Sequence, residues 1–184
     1  MTFEELWQLF PIILTAPNPK WAEWASQEIS NLQIILGDLI SHINHIGSTA
    51  IKGIWAKPII DILLETDKTT NFSSIRSLLI KAGYICMNEN KNRLDFNKGY
   101  TPDGFADKVF HIHVRMTGDN DQIYFRDYLN SHSDVAKEYE DLKLSLWKSF
   151  EHNRDGYTNA KSDFITYYTG LAKQTKLSVF SQPS

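Results

Sequence analysis

The stretch HIGSTAIKGIWAKPIIDILLE, residues 45–65, decides the fold class of this chain. It joins two apolar runs through a polar Gly-Ser-Thr turn, and the second run places one carboxylate, Asp61, among isoleucines and leucines. Strands typically begin or end at turns that contain glycine and serine. We therefore predict one strand from Asp38 to Ile46 and a second strand from Pro58 to Glu65.

Outward from these two strands, the spacing of apolar residues predicts a mixture of strands and helices. Helical spacing precedes Gly37 and Gly83, and it continues to the C-terminal end after Gly118. The predicted helices cover 19–37, 71–82, 119–130, 133–150 and 157–173, and two further strands cover 93–97 and 109–116. This order is an α+β pattern. We expect a core over 1–118 that includes the N-terminal helix, C-terminal helices over 119–176 packed on it as a single compact domain, and a tail over 177–184.

Composition is that of a globular protein. The 184 residues include 19 Lys and Arg against 22 Asp and Glu, for a net charge of -3, and such a chain buries about 70% of its unfolded surface. The single cysteine, Cys86, excludes a disulfide framework and a cysteine-only metal site, and it suits a reducing compartment. Without a basic leader, a membrane-length apolar run or a block of like charge, we expect a cytoplasmic protein that binds neither membranes nor nucleic acid.

The Gly47-Ser48 turn has the chemistry of an anion site. Gly47 permits close approach of a ligand, Ser48 offers a hydroxyl and an N–H group, and Lys52 and Lys57 follow within reach. A phosphate would fit these groups. The alternative is an ordinary turn that only reverses the chain.

Asp61 interrupts a run that is otherwise built for burial. A buried carboxylate costs several kcal/mol unless a metal ion or another cation compensates it. The sequence therefore favours a functional role for Asp61. The alternative is a buried ion pair with Lys57 or Arg93.

The strand FHIHVRM, residues 110–116, alternates strictly between apolar and polar residues. His111, His113 and Arg115 therefore share one face, where two imidazoles could ligate a metal ion, transfer protons or contact phosphate. Arg93, Asp95 and Asn97 alternate in the same way, with Lys98 at the end of that strand, and could line the same cleft. The alternative for both strands is a sheet face that is exposed to solvent. For residues 93–97, this would be the exposed face of an edge strand.

These motifs together resemble the GrpB family, small proteins assigned to the nucleotidyltransferase-like fold. HIGSTAIKGIWAKPIID, residues 45–61, is similar to the family's histidine, Gly-Ser-Thr, glycine and Lys-Pro-x-x-Asp signature, and FHIHV, residues 110–114, is similar to its His-x-His-Val strand. In the helical half, FRDYL at 125–129 and the pair Tyr157 and Lys161 also look like family positions. The resemblance covers roughly 21–171.

The resemblance implies a nucleotidyltransferase-like mixed sheet with flanking helices, followed by a C-terminal helical segment. In that fold a Gly-Ser turn binds a triphosphate, and strand carboxylates hold a divalent metal, Mg²⁺ or Mn²⁺. Asp61 matches the first acid of the superfamily's Asp-x-Asp pair, but the second position is Leu63. Glu65, the next acid on that face, is roughly 13 Å along the strand and too far to share one ion.

The residue patterns and the resemblance together give a set of predicted site residues. Asp61 and His113 are the predicted catalytic residues, and Asp61, His111 and His113 are the predicted metal ligands, a donor set that suits Mn²⁺ or Zn²⁺ better than Mg²⁺. The predicted nucleotide-binding residues are His45, Gly47, Ser48, Thr49, Lys57, Arg93, Lys98, His111 and Lys161.

Three functional hypotheses follow from the sequence. The first is an enzyme that transfers a nucleotidyl group from a nucleoside triphosphate to an unknown acceptor. The second is a module that binds a nucleotide or another phosphorylated small molecule without chemistry, which the leucine at position 63 favours. The third is a helical interaction protein that works through Trp147, Phe150 and Tyr168. The oligomeric state does not follow from the sequence.

Overall fold

The computed structural model describes Glu5 and residues 8–180. The chain separates into two compact units that interleave along the sequence. The sheet unit comprises residues 18–50 and 58–120, and the helical unit comprises the described residues up to Pro17, residues 51–57, and the described residues from Asp121 onward. None of the helices in this described part combines the length and apolar character needed to cross a membrane.

The sheet unit is built from five strands and two helices among its described residues. The helices are α1 (Lys20–Leu36) and α2 (Phe72–Lys81), and the strands are β1 (His42–Ile46), β2 (Ile59–Thr66), β3 (Ile85–Asn90), β4 (Arg93–Thr101) and β5 (Gly104–Met116). The strand order is β1-β2-β5-β4-β3. The β2–β5 pair is parallel and the other pairs are antiparallel, so the sheet is mixed. This architecture confirms the predicted α+β fold with a mixed sheet.

The ends of both helices follow from local sequence chemistry. The Asn18 side chain accepts a hydrogen bond from the Lys20 N–H at 3.0 Å, and α1 ends before Gly37, whose φ is +50°. The Asn71 side chain caps α2 by accepting from the Ser73 N–H at 2.9 Å. Such caps satisfy backbone donors that the first helical turn leaves unpaired.

The two faces of the sheet differ in character. One face carries fully buried residues such as Ile60, Ile62 and Ile112. Helix α1 lies against this face, where its Glu28 forms an ion pair with Lys98 of β4 at 2.8 Å. The other face carries Asp61 of β2 and, paired with it in register, His111 of β5. Alternation along β2 and β5 therefore places Asp61, His111 and His113 on one face.

The helical unit consists of α3 (Asp121–Ser131), α4 (Ser133–Trp147), α5 (Arg154–Asn159) and α6 (Ser162–Phe180), together with the shorter segments of that unit. One of its apolar clusters includes Ile51, Ile54, Phe125 and Tyr139, and a second is formed by Ile12, Leu14 and Tyr157. The 51–57 segment is thus held by the helices, although it connects β1 to β2 in sequence.

The structure differs from the predicted elements in several places. The strand predicted from Asp38 begins only at His42, because Gly37–Leu39 form a 3₁₀ turn. Strand β3 was not predicted, and since it pairs with β4, β4 is not the edge strand considered above. The helix predicted over 157–173 is interrupted between Asn159 and Ser162, so that α5 and α6 are separate. Of the predicted tail, 177–180 continue α6, and Ser181–Ser184 lie outside the described residues.

Candidate functional site

The turn that follows β1 lies directly against Asp61. Gly47 has φ +72°, and a Cβ atom at this position would collide with the Asp61 carboxylate. The position therefore requires glycine for two reasons, its left-handed backbone and the close approach of an acidic side chain. Ser48–Ala50 continue as one turn of 3₁₀-helix.

Two imidazoles converge on one oxygen of Asp61. His111 Nδ1 and His113 Nε2 each lie 3.3 Å from Asp61 Oδ1, and one donor atom from each of the three side chains lies within 4.8 Å of the others. A separation of 3.3 Å is longer than an ordinary N–H···O hydrogen bond. Two ligands held about 2.1 Å from one tetrahedral ion lie roughly 3.4 Å apart, so these spacings suit ligands that share one ion.

The outer nitrogen of each imidazole has a hydrogen-bond partner at ordinary distance. His111 Nε2 lies 2.8 Å from the Tyr100 hydroxyl, and His113 Nδ1 lies 2.9 Å from Asp95 Oδ1. The same Asp95 oxygen accepts from Arg115 at 2.6 Å. Such outer contacts fix the orientation of an imidazole and leave its inner nitrogen for a metal ion.

The electrostatics of the site couple His113 to two carboxylates. Burial alone would lower the pKa of His113, but its hydrogen bonds to Asp61 and Asp95 outweigh burial and raise the pKa to about 9. Burial would likewise raise the pKa values of Asp61 and Asp95, but the two imidazoles at Asp61, and His113 with Arg115 at Asp95, hold them well below their ordinary range. Near neutral pH, His113 is therefore a cation between two anions when no metal ion is bound.

The donor set fits one transition-metal ion better than a pair of Mg²⁺ ions. Imidazole nitrogen suits Zn²⁺ and related ions, whereas Mg²⁺ prefers oxygen. Leu63, the next residue on the Asp61 face of β2, is fully buried and paired with His113, so this position offers no second carboxylate. Glu65 accepts from the Gly118 N–H and the Asn120 side chain, each at 3.0 Å, and thereby stabilises the end of β5.

Comparison with known proteins identifies the family. The model of the family described as GrpB protein matches residues 11–170. The chain belongs to the GrpB family. It is 35% identical over 164 residues to the glutamate-rich protein GrpB of Alkalihalophilus pseudofirmus, with 84% of this chain and 91% of that protein covered.

Another relative and a solved structure extend the comparison. UPF0157 protein YqkA of Bacillus subtilis is 34% identical over 164 residues, and the match covers 86% of this chain but only 46% of YqkA, about half of its length. The crystal structure of conserved protein GrpB from Enterococcus faecalis has a TM-score of 0.78 and 27% identity, over 90% of this chain and 99% of that one. This likeness shows that the chain has the fold of that GrpB structure.

Two other residues of the GrpB-like signature, His45 and Thr49, contact the Gly47 turn from the side away from Asp61. His45 is paired with Ile62 and therefore lies on the α1-covered face. Its Nε2 is 2.9 Å from the Thr49 hydroxyl, which donates to the Ile59 carbonyl at 3.1 Å. The hydrogen bonds of His45 and Thr49 thus hold the turn next to β2, whereas Gly47 contacts Asp61 itself.

The predicted cationic residues are not all brought to the Asp61 face. Lys98 lies on the α1-covered face with Glu28, and Arg93 forms an ion pair with Asp119 at 2.9 Å. Lys57 and Lys161 belong to the helical unit, where both ammonium groups lie over the Tyr157 ring, at 5.5 and 4.1 Å from its centroid.

Sequence reasoning missed Tyr100 as a contact of the site. Strict alternation from Asp95 and Asn97 predicts that Tyr100 lies on the α1-covered face. The β4–β5 register shifts between Lys98 and Tyr100, and Tyr100 instead stacks on His111 with ring centroids 5.9 Å apart. Gly99, with φ +91°, was the sequence signal for this irregularity, since glycine inside a strand often marks a bulge.

Proposed function

We propose that this GrpB family member binds a nucleoside triphosphate together with one divalent transition-metal ion and transfers the nucleotidyl group to an acceptor hydroxyl or amine. The observation that carries the proposal is the convergence of His111 and His113 on Asp61 at ligand spacing, directly beside the Gly47 turn. A phosphate group bound at this turn would lie next to an ion held by Asp61.

The residues near Asp61 have three roles in the proposal: they hold the ion, bind phosphate or orient the imidazoles. Asp61, His111 and His113 hold the ion, and the amide groups of the Gly47-Ser48 turn, with the Ser48 hydroxyl, bind phosphate oxygens. Tyr100 and Asp95 keep the imidazoles in the ligating orientation. The ion would supply positive charge beside the phosphate oxygens and so stabilise the charge that develops there.

The proposed transfer forms a bond from the acceptor oxygen or nitrogen to the α-phosphorus and breaks the bond from this phosphorus to the bridging oxygen, so that pyrophosphate leaves. His113 is assigned as a ligand and not as the general base. Its pKa of about 9 makes it a cation at neutral pH before an ion binds, and as a ligand it has no free lone pair. The acceptor's proton therefore passes to solvent.

Metal binding is the first test of this proposal. Titration calorimetry with Mn²⁺, Zn²⁺ and Mg²⁺ compares the wild type with Asp61→Asn and with the control His152→Asn, which replaces an exposed histidine. We expect Mn²⁺ or Zn²⁺ to bind at least tenfold more tightly than Mg²⁺, and Asp61→Asn alone to lose this binding. If Asp61→Asn retains wild-type affinity for both the ion and the triphosphate, the assignment is wrong.

A second test separates catalysis from binding. Each nucleoside triphosphate is incubated with the preferred ion and a panel of hydroxyl and amine acceptors, and released pyrophosphate is measured. Release that depends on the acceptor and disappears in Asp61→Asn supports transfer.

Leu63 favours a second candidate function, a binding module that senses a nucleotide or another phosphorylated small molecule. This leucine is fully buried where a second acid would stand, and a single ion gives less assistance to phosphoryl transfer than two ions do. Metal-dependent triphosphate binding without pyrophosphate release from any acceptor would support the module over the enzyme.

A further inference from the structure

Three lysine side chains come together within the helical unit. Lys57 and Lys161 both lie over the ring of Tyr157, and the Lys143 ammonium group lies over the Tyr139 ring at 4.8 Å from its centroid. Lys143 interacts electrostatically with both of the other lysines. The three ammonium groups therefore form one cationic cluster, which we call the lysine cluster.

Lys143 is held in place by the backbone of the 51–57 segment. Its ammonium group donates to the Trp55 carbonyl, while Glu140, one turn earlier on α4, accepts from the Trp55 N–H at 2.6 Å. The same segment carries Lys57 two residues later. The α4 helix thus clamps the chain at Trp55 and fixes the position from which Lys57 extends.

Lys143, the buried member of the lysine cluster, interacts with two other ammonium groups and with the Glu140 carboxylate. Lys143 is only 2% exposed. Its pKa is lowered to about 7, first by burial and then by Lys161, with Lys57 acting in the same direction and Glu140 opposing. Glu140 also forms an ion pair with Lys137, so its charge is shared. The two neighbouring ammonium groups thus disfavour the charged form of Lys143, and a bound anion would relieve this repulsion.

Tyr157, whose ring contacts Lys57 and Lys161, also has a hydroxyl group without a hydrogen-bond partner among the described residues. Two of the three ammonium groups lie over its ring. The residue is fully buried, and this leaves its hydroxyl unable to bond to bulk water. Buried hydroxyl groups are ordinarily paired. This hydroxyl is therefore a further donor for a ligand oxygen.

We propose that the lysine cluster, Lys57, Lys143 and Lys161 with the Tyr157 hydroxyl, is a binding site for a phosphoryl group. The compact, multiply charged oxygens of phosphate match several ammonium donors and one hydroxyl donor. The proposal rests on residues of the helical unit alone, and it holds whether or not the Asp61 site binds a metal ion. The phosphoryl group is that of free phosphate or polyphosphate, or the terminal group of a nucleoside triphosphate.

The test measures anion binding without metal ions. Titration calorimetry in EDTA and chloride buffer at pH 7 uses tripolyphosphate as the probe, with the wild type, Lys161→Met, Lys143→Met and the control Lys148→Met, whose side chain is 71% exposed. We expect saturable binding by the wild type and the control, with affinity at least tenfold lower for both Lys161→Met and Lys143→Met. Asp61→Asn is expected to bind as the wild type does.

Several outcomes would overturn the proposal. The first is that the wild type shows no saturable binding of tripolyphosphate. The second is that Lys148→Met loses as much affinity as the other two lysine variants. The third is that Asp61→Asn loses affinity, which would show that the anion binds at the Asp61 site instead. Because Lys143→Met removes a buried ammonium group, circular dichroism should find it folded, and Lys161→Met provides an independent readout.

Comparison of orthophosphate, tripolyphosphate and ATP then distinguishes the sources. Equal affinity for tripolyphosphate and ATP indicates a site for phosphate groups alone. Tighter binding of ATP indicates that the nucleoside contributes. Failure of this experiment leaves the metal titrations of the Asp61 site unaffected, so the two proposals fail separately.

Discussion

Replacement of Lys143 by methionine should change how the stability of the protein depends on pH. Lys143 is 2% exposed, and burial with the charges of Lys161 and Lys57 lowers its pKa from 10.5 to about 7, although Glu140 opposes this shift. In the unfolded chain the same lysine regains its ordinary pKa. Between these two values the unfolded state binds one more proton than the folded state does, so the stability of the wild type rises with pH in this window.

The magnitude follows from the two pKa values. The cost of burying the charged lysine is fully present below pH 7, declines by up to about 1.4 kcal/mol per pH unit, and vanishes above pH 10.5. Between pH 7 and pH 9 the wild type should gain about 2 kcal/mol relative to Lys143→Met. The variant also leaves the Trp55 carbonyl without its lysine donor, but that cost of about 1–3 kcal/mol does not depend on pH.

Urea unfolding at pH 6, 7, 8 and 9 in phosphate-free buffer measures the difference. The free energy of unfolding of the wild type minus that of Lys143→Met is expected to rise across this range, while the same difference for Lys148→Met stays flat. Titrations of groups that do not interact with Lys143 cancel in each subtraction. Parallel curves for the wild type and Lys143→Met would refute the electrostatic reasoning about the lysine cluster.

Two further predictions concern the Asp61 site. Asp95→Asn removes the carboxylate that orients His113 and should weaken binding of Mn²⁺ or Zn²⁺ by about 10–100-fold in calorimetry, and an unchanged affinity would contradict the orienting role. Gly47→Ala should lower the free energy of unfolding in urea by about 1 kcal/mol or more beyond Gly53→Ala, because both positions have positive φ but only the first new methyl group collides with Asp61. Equal losses would show that backbone strain alone matters.

Much of the fold could be predicted from the sequence because the relevant signals are local. Helix α1 lies between the Asn18 cap and Gly37 as predicted, and α2 begins after its Asn71 cap. Strict alternation also correctly predicted that His111 and His113 share a face. Capping and alternation depend only on neighbouring residues, so no knowledge of tertiary contacts is needed.

What could not be predicted depends on partners that are distant in sequence. The approach of His111 to Asp61 requires the parallel pairing of β2 with β5, and strand order has no local signal. Strand β3 is mostly exposed, so it lacks an apolar alternation. The environment of Lys143 depends on Trp55, 88 residues away, so no local pattern indicates that the pKa of this lysine is lowered.

The charges of the Asp61 site couple the binding of its two proposed ligands. Without a metal ion, both acids, Asp61 and Asp95, are ionised, His113 is protonated, and both imidazoles stabilise the Asp61 carboxylate. A divalent ion at His113 Nε2 must displace one proton, because a ligating imidazole is neutral. Because an ion held by Asp61 would lie beside the Gly47 turn, phosphate binding at this site should strengthen when the metal ion is bound, whereas phosphate binding at the lysine cluster should not change.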